Sequence, residues 1–305
     1  NSLTIGLDVK KFARNAKKII VDIDKDEYEK NRFENSKLIL SDLDFFLKKM
    51  NKKKIITKWN KWSLKCLNWK KIFKSKKDIL NGSQKINLYE LSEVFSKTLP
   101  SNSVFLCDSG FIDVILPTNI RFRKKQICIH PVSQGSMGFA LPAIIGAYST
   151  GKKNIVSVIG DGSIMMNLQE LQTIKYYKIP AKIFIINNKM YGIIRRRQKE
   201  LFRGRTIGTD DTNGVGNPDF RKISKAFDIK YKLIKTKKNL TSEINSVLKE
   251  KKTVICEIIA DENQEYIEIG YAKNKKGKIV RRPLEDQKPF LDRNTFLREM
   301  VIEPI

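Results

Sequence analysis

The sequence predicts an α/β fold: a doubly wound parallel sheet covered by helices, preceded by the end of a second α/β domain. Two observations carry this. From Ile86 onward strand-like and helix-like segments alternate. The strand-like segments Ile155–Ile159 and Ile183–Ile186 are almost continuously apolar, as strands buried on both faces are, whereas a half-exposed strand would alternate. Ligands of such sheets bind outside the carboxyl ends of the strands, so chemistry is expected in the residues that follow those two segments.

Taken in order, Lys18–Asp22 reads as a strand and Asp42–Met50 as a helix, so residues 1–50 read as the end of an α/β domain. The chain opens with Asn1 rather than Met and runs almost directly into that strand, which suggests truncation at the front. Residues 51–84 read as a linker helix and loop. Here Trp59, Trp62, Cys66, Trp69 and Phe73 recur at steps of three and four, one face of a helix, and are expected to pack. The polar stretch Ser75–Gln84, with Asn81-Gly82, reads as the loop. Residues 85–275 form the main domain, and residues 276–305 a tail. Within the domain the pattern predicts helices over Leu91–Leu99, Met137–Ala147, Asn167–Tyr177 and Pro218–Phe227. The intervening strands are Val104–Cys107, Ile155–Ile159, Ile183–Asn187 and Val254–Ile259.

A chain of 305 residues with 41% hydrophobic content can build real cores. No apolar run approaches the roughly 18 residues of a membrane span, and no signal peptide opens the chain, so a cytoplasmic protein without a membrane partner is expected. The net charge of +27 is carried by lysines that recur on nearly every predicted helix, as in Lys237–Lys252. They are not interleaved with aromatics, so a solvated lysine-rich surface is expected and not a nucleic-acid site. Cys66, Cys107, Cys128 and Cys256 are far apart and form no Cys-x-x-Cys pair. They read as buried thiols, neither zinc ligands nor a disulfide framework.

Gly160-Asp161-Gly162-Ser163 follows the first apolar strand, and Asn187-Asn188 closes the second. Glycines let backbone N–H groups approach a phosphate, and a helix beginning near Asn167 would add a positive dipole end. The Asp161 carboxylate would repel phosphate unless a cation intervened. Magnesium, which takes octahedral oxygen ligands, resolves the conflict with Asp161 and the Asn188 amide oxygen as protein ligands. A lone Gly-Asp-Gly is as readily a turn. No Gly-x-Gly-x-x-Gly opens the helix and no Gly-Lys-Ser/Thr is present, so neither a dinucleotide fingerprint nor a P-loop is indicated.

Gly-Asp-Gly followed at this separation by Asn-Asn resembles the signature of thiamine-diphosphate-dependent enzymes. The likeness extends along the chain: Gln134-Gly135-Ser136-Met137-Gly138-Phe139-Ala140-Leu141-Pro142 resembles the segment of acetolactate synthase-like proteins that supports the bent thiamine. The segment Phe12–Asp24 is similar to the end of that family's middle domain, and Pro283–Pro304 to its tail, which packs near the active-site entrance. Met166–Thr173 resembles the branch linked to surface polysaccharides. The resemblance implies a thiamine-diphosphate-binding fold that uses thiamine diphosphate and Mg2+. By the same implication Asp161, Asn188 and the Met190 carbonyl hold the metal. Met137 wedges between the thiamine rings as the catalytic contact, with the Gly135 and Met137 backbone on the aminopyrimidine beside Ser136. The Asp108-Ser109-Gly110 loop and Gly160, Gly162 and Ser163 meet the diphosphate, with Tyr191 and Gly192 nearby.

The implied activity is decarboxylation of a 2-oxo acid, pyruvate above all, with transfer of the two-carbon unit to an acceptor by a homodimer or homotetramer. The family's activating glutamate belongs to a pyrimidine-binding domain absent from this sequence, so the chain alone is expected to be inactive. That domain is expected on a missing N-terminal part or on another subunit. Flavin (FAD) dependence stays open, because most of the middle domain is missing. Arg197 stands where acetohydroxyacid synthases carry an acceptor-selecting tryptophan. Either it contacts an anionic or sugar-nucleotide acceptor, or Arg195-Arg196-Arg197 is a solvated helix face. The alternatives are a keto-sugar carboligase of polysaccharide synthesis and a non-catalytic thiamine-fold subunit. His130, the one histidine, lies just before the thiamine-supporting loop, but its spacing to Gly135 matches no catalytic histidine of the family.

Overall fold

A computed structural model describes residues 9–30, 33–52, 60–73, 84–264, 271–273, 279–283, 285–287 and 290–304. The chain divides into two compact units, one of Asn1–Ser75 with Ile267–Ile305 and one of Lys76–Tyr266. The first unit opens with strand β1 (Lys18–Asp22), helix α1 (Lys25–Lys30), strand β2 (Ser36–Leu40), helix α2 (Leu43–Asn51) and helix α3 (Asn60–Ile72). Strands β1 and β2 pair in parallel. Asp42 caps α2 by accepting the Phe45 N–H.

The second unit is built on six parallel strands: β3 (Val104–Cys107), β4 (Ile127–Ile129), β5 (Ile155–Gly160), β6 (Lys182–Asn187), β7 (Lys230–Ile234) and β8 (Val254–Ile259). Their order is β4-β3-β5-β6-β8-β7. The helices are α4 (Leu88–Thr98), α5 (Phe111–Asn119), α6 (Ala140–Ser149), α7 (Glu170–Tyr176), α8 (Gly192–Leu201), α9 (Phe220–Ala226) and α10 (Leu240–Leu248). Side chains of a strand alternate between faces, and both faces of this sheet are apolar. Phe105, Val156, Val158, Phe184, Val254 and Cys256 share one core with α4, α5 and α10. Leu106, Ile155, Ile159, Ile183, Ile185 and Ile255 share the other with α6, α7 and α9. This is the doubly wound sheet the continuous apolar runs predict. Helix α4 begins at a capping box in which Asn87 and Glu90 satisfy each other's backbone N–H groups.

The chain then returns to the first unit with strands β9 (Tyr271–Lys273) and β10 (Ile279–Arg281), an antiparallel pair, and helix α11 (Arg293–Glu299). Arg14 donates to Glu285 at 3.0 Å, joining the two ends of the chain.

Three expectations change. The helix foreseen over Asn167–Tyr177 is present but starts later, as α7, and a short 3-10 turn, Ser163–Met166, precedes it. Asn167, between the two, donates its side-chain amide to the Gly138 carbonyl at 3.0 Å. No long helix dipole therefore points at Gly162. Second, the aromatic stripe is not buried within its unit: Trp62 and Phe73 are half exposed, and Trp62 packs edge-on against Trp69 at 5.4 Å. Trp69 donates instead to Glu299, which also receives Asn68 and Lys65, while Trp59 lies outside the described residues. Third, Cys66 on that helix is exposed, whereas Cys107 and Cys256 are buried and Cys128 is half-buried. Among the described residues no helix is long and apolar enough to cross a membrane.

Phe184 sits in the middle of β6 with no exposed surface, edge-on to Phe95 at 5.3 Å. Its replacement by alanine should therefore cost about 3–5 kcal/mol of unfolding free energy. Chemical denaturation measures this, and a loss below about 1 kcal/mol, the range of ordinary surface changes, would contradict the packing described.

Candidate functional site

A cavity of about 310 Å3 opens at the carboxyl ends of β5 and β6. It is lined by Ser109 to Val114 at the start of α5, by Gly135 and Met137, by Gly160 to Ser163, by Asn188, and by Met190 to Ile194 at the start of α8, with Leu88 and Ile186. Most of the residues singled out in the sequence are thus brought together. Asp108, Ser136 and Arg197 do not line the cavity.

Asp161 is the centre of the arrangement. Only 2% of its surface is exposed, because it lies where β5 ends beside the turn after β6. Its Oδ1 accepts the Gly162 N–H at 2.8 Å, and its Oδ2 accepts the Lys189 N–H at 2.7 Å and the Asn217 amide at 2.9 Å. All three donors are neutral. Burial pushes the carboxyl up to about 6, opposed by the N–H groups of Gly162, Lys189 and Asn188. Asn188 is partly exposed at the cavity wall, and its Oδ1 accepts the Met190 N–H at 3.2 Å. Lys189 between them is left-handed, with φ 57°.

Of the residues foreseen at the diphosphate, Ser163 lines the cavity and Asp108 does not, and the two bond to each other. The Asp108 side chain is fully buried and turns away from the cavity. It accepts from the backbone of Gly138 at 3.0 Å and Ala140 at 2.7 Å, and from the Ser163 hydroxyl at 2.5 Å. Burial raises its carboxyl above the usual range, against the pull of these donors, Ser163 first. Asp108 therefore ties the Gly135–Met137 loop to the turn after β5, and the Ser163 proton is spent on that tie. Ser136 is exposed beside the loop.

Glycines are required where rings approach. A Cβ on Gly162 would lie 2.1 Å from the Tyr191 ring, and one on Gly192 would lie 2.4 Å from the Phe111 ring. Met137 remains 37% exposed inside the cavity wall, an apolar side chain with room for a partner. Arg197 bonds to Glu200 at 3.3 Å on its own helix, while Arg195 pairs at 2.6 Å with Asp210. Asp210 anchors the loop whose Thr209 carbonyl accepts the Tyr191 N–H. His130 Nδ1 lies 2.6 Å from Asp113, which lines the cavity although His130 does not.

Sequence reasoning missed the apolar wall of Phe111, Ile112, Val114, Ile193 and Ile194, which reads as ordinary helix core. It also missed Asn217, in a Gly- and Asn-rich loop that carries no signal of its own. Among the described residues no group of three His, Cys, Asp or Glu side chains is placed to hold a metal. An ion at Asp161 would draw on that carboxylate together with neutral oxygens, which is a magnesium-like donor set. A buried carboxylate without a cationic partner fits such an ion.

Gly162→Ala should displace the Tyr191 ring and cost about 1–3 kcal/mol of stability. A double-mutant cycle with Tyr191→Ala should recover most of that loss, and strictly additive losses would contradict the ring contact.

Residues 108–258 match the model of the family "Thiamine pyrophosphate enzyme, C-terminal TPP binding domain". The acetolactate synthase large subunit of Porphyra purpurea is 31% identical over 262 residues, covering 83% of this chain and 43% of that protein. A probable acetolactate synthase large subunit of Methanococcus aeolicus is 32% identical over 265 residues, covering 80% and 42%. Acetolactate synthase isozyme 2 large subunit of Escherichia coli (strain K12) is 31% identical over 173 residues, covering 56% and 31%. The chain thus spans less than half the length of these curated relatives. A solved thiamine diphosphate-dependent 4-hydroxybenzoylformate decarboxylase of Rhodococcus jostii RHA1 superposes with a TM-score of 0.62 at 19% identity, over 82% of this chain and 45% of that one, which supports the fold. The strand-end motifs, the sheet that presents them and these relatives lead to one conclusion: the chain belongs to the thiamine-diphosphate-dependent, acetolactate synthase-like family, and carries its C-terminal cofactor-binding domain.

Proposed function

We propose that this chain is the diphosphate- and Mg2+-binding portion of an enzyme that decarboxylates a 2-oxo acid, pyruvate, and transfers the two-carbon unit to an acceptor. The observation that carries the reading is Asp161: a buried carboxylate with only neutral donors, facing a glycine-lined cavity beside Asn188.

Asp161, the Asn188 amide oxygen and the Met190 carbonyl would hold the metal, and the metal would offset the charge of the diphosphate. The backbone at Gly110, Gly160 and Gly162 leaves room for phosphate oxygens. Met137 and Gly135 would support the bent cofactor from the loop that Asp108 braces. When bound, thiamine diphosphate supplies a thiazolium carbon that stores the electron pair released by decarboxylation. Phe111, Ile112 and Ile193 give the cavity an apolar wall, which would help to exclude water from the reaction. The activating glutamate would come from a pyrimidine-binding domain, on another part of the protein or on another subunit.

Asp161→Ala in the complete protein should abolish Mg2+-dependent thiamine-diphosphate binding while the fold survives. Isothermal titration calorimetry with and without Mg2+ tests this, and unchanged affinity would overturn the metal assignment.

Acceptor choice turns on Arg197. Its bond to Glu200 and its absence from the cavity wall favour the solvated-face reading, and with it a 2-oxo acid acceptor. Arg197→Trp should then leave product ratios unchanged when the complete enzyme receives pyruvate with a panel of 2-oxo acids and keto-sugar nucleotides. A shift toward 2-oxobutyrate, worth at most about 1–3 kcal/mol, would bring Arg197 into the acceptor pocket and favour the keto-sugar alternative.

A further inference from the structure

Glu257 occupies the middle of β8, where Val254, Ile255, Cys256 and Ile258 are all buried and apolar. It is itself only 8% exposed. A carboxylate in such a strand is costly unless both oxygens are hydrogen-bonded, and here both are. Asn187 donates its amide to Oε1 at 2.6 Å, and the Tyr231 hydroxyl donates to Oε2 at 2.5 Å.

The register of the sheet explains the meeting. Glu257 stands opposite Ile185 on β6 and opposite Leu233 on β7. Asn187 is two residues beyond Ile185, and Tyr231 two before Leu233, so the three polar side chains share one face as diagonal neighbours across β6, β8 and β7. Asn187 does not line the cavity. Its Oδ1 instead accepts the Lys189 N–H at 3.1 Å, the same N–H that reaches Asp161 Oδ2 at 2.7 Å. Lys189 is the left-handed residue of this turn, at φ 57°, a conformation an L-residue holds only when its surroundings fix it.

We propose that Glu257 is a positioning residue for the metal-binding turn. Through Asn187, and with Tyr231 fixing its second oxygen, it holds the Lys189 N–H on Asp161 and so sets where Asn188 and Asp161 present their oxygens. It acts through its two hydrogen bonds, not by its charge. A glutamine preserves the relay, its oxygen accepting from Asn187 and its amide donating to the Tyr231 hydroxyl. A leucine of similar volume cannot. The inference rests on the reading of the cavity as the Mg2+ and diphosphate site.

The test uses the complete protein with Glu257→Gln, Glu257→Leu and Tyr231→Phe. Two quantities are read: amide hydrogen exchange of the Asn187–Tyr191 segment in metal-free protein, and Mn2+ affinity by electron paramagnetic resonance titration with thiamine diphosphate present. Glu257→Leu should lose protection at Lys189 and bind Mn2+ about 10- to 100-fold more weakly, the usual cost of removing a group that orients a metal ligand. Glu257→Gln should match the unmodified protein in both, with Tyr231→Phe between the two. Normal Lys189 protection in Glu257→Leu, or a Glu257→Gln variant as weak as Glu257→Leu, would overturn the relay. Failure of the unmodified protein to bind Mn2+ with the cofactor would instead sink the reading of the site, while the exchange comparison still decides whether Glu257 holds the turn.

Discussion

The Asp161 carboxylate is taken out of water at the end of a central strand and given only neutral donors, and much of the second unit is arranged around that fact. An ionised carboxylate in such surroundings is unfavourable, as its rise to about 6 records. Neutral N–H groups lessen the cost without removing it. A divalent cation removes it and at the same time creates a place for a second anion. The same burial that makes Asp161 a poor surface residue would make it hold a cation strongly, because opposite charges attract more strongly where water is excluded.

Two of the three donors to Asp161, the Lys189 N–H and the Asn217 amide, come from distant parts of the chain, and the parallel sheet makes this possible. Strands β5 and β6 are neighbours with their carboxyl ends aligned, so the turns that follow them converge without a long connection. Asp108, at the end of the adjacent β3, repeats the device with a different purpose. Its carboxylate collects the backbone of Gly138 and Ala140 and the Ser163 hydroxyl, which fixes the methionine-bearing loop against the Asp161 turn. One acid is free to take a cation, while the other is used up as a brace.

Strands β3, β5, β6 and β8 were legible to within a residue, because a strand buried on both faces leaves a short, nearly continuous apolar run. The edge strands were not. Strand β4 is three residues long and half open to solvent, and β7 carries lysines on its outer positions, so neither shows such a run. Helix α5 hid behind Pro117, which reads as a breaker although it sits near the helix end. Asp161 and Asn188 were legible because each lies in a short motif whose residues are consecutive. The Asn217 contact to Asp161 spans 56 residues and the Glu257 contact to Asn187 spans 70, and such pairings exist only after the sheet has formed. The bonds of Asp108 were hidden for the same reason: its neighbours Ser109 and Gly110 line the cavity, while its own side chain meets the backbone of Gly138 and Ala140, 30 and 32 residues away.

The central claim is that the cavity at the ends of β5 and β6 holds a divalent ion between protein and diphosphate. Crystals of the complete protein grown with thiamine diphosphate and Mn2+ in place of Mg2+ test it through the anomalous signal of the manganese. The account predicts one strong peak at oxygen-ligand distance, roughly 2.1 Å, from an Asp161 carboxylate oxygen, the Asn188 amide oxygen and the Met190 carbonyl, with diphosphate oxygens among the remaining ligands. A cofactor bound with no peak at Asp161, or a peak held by other residues, would contradict it.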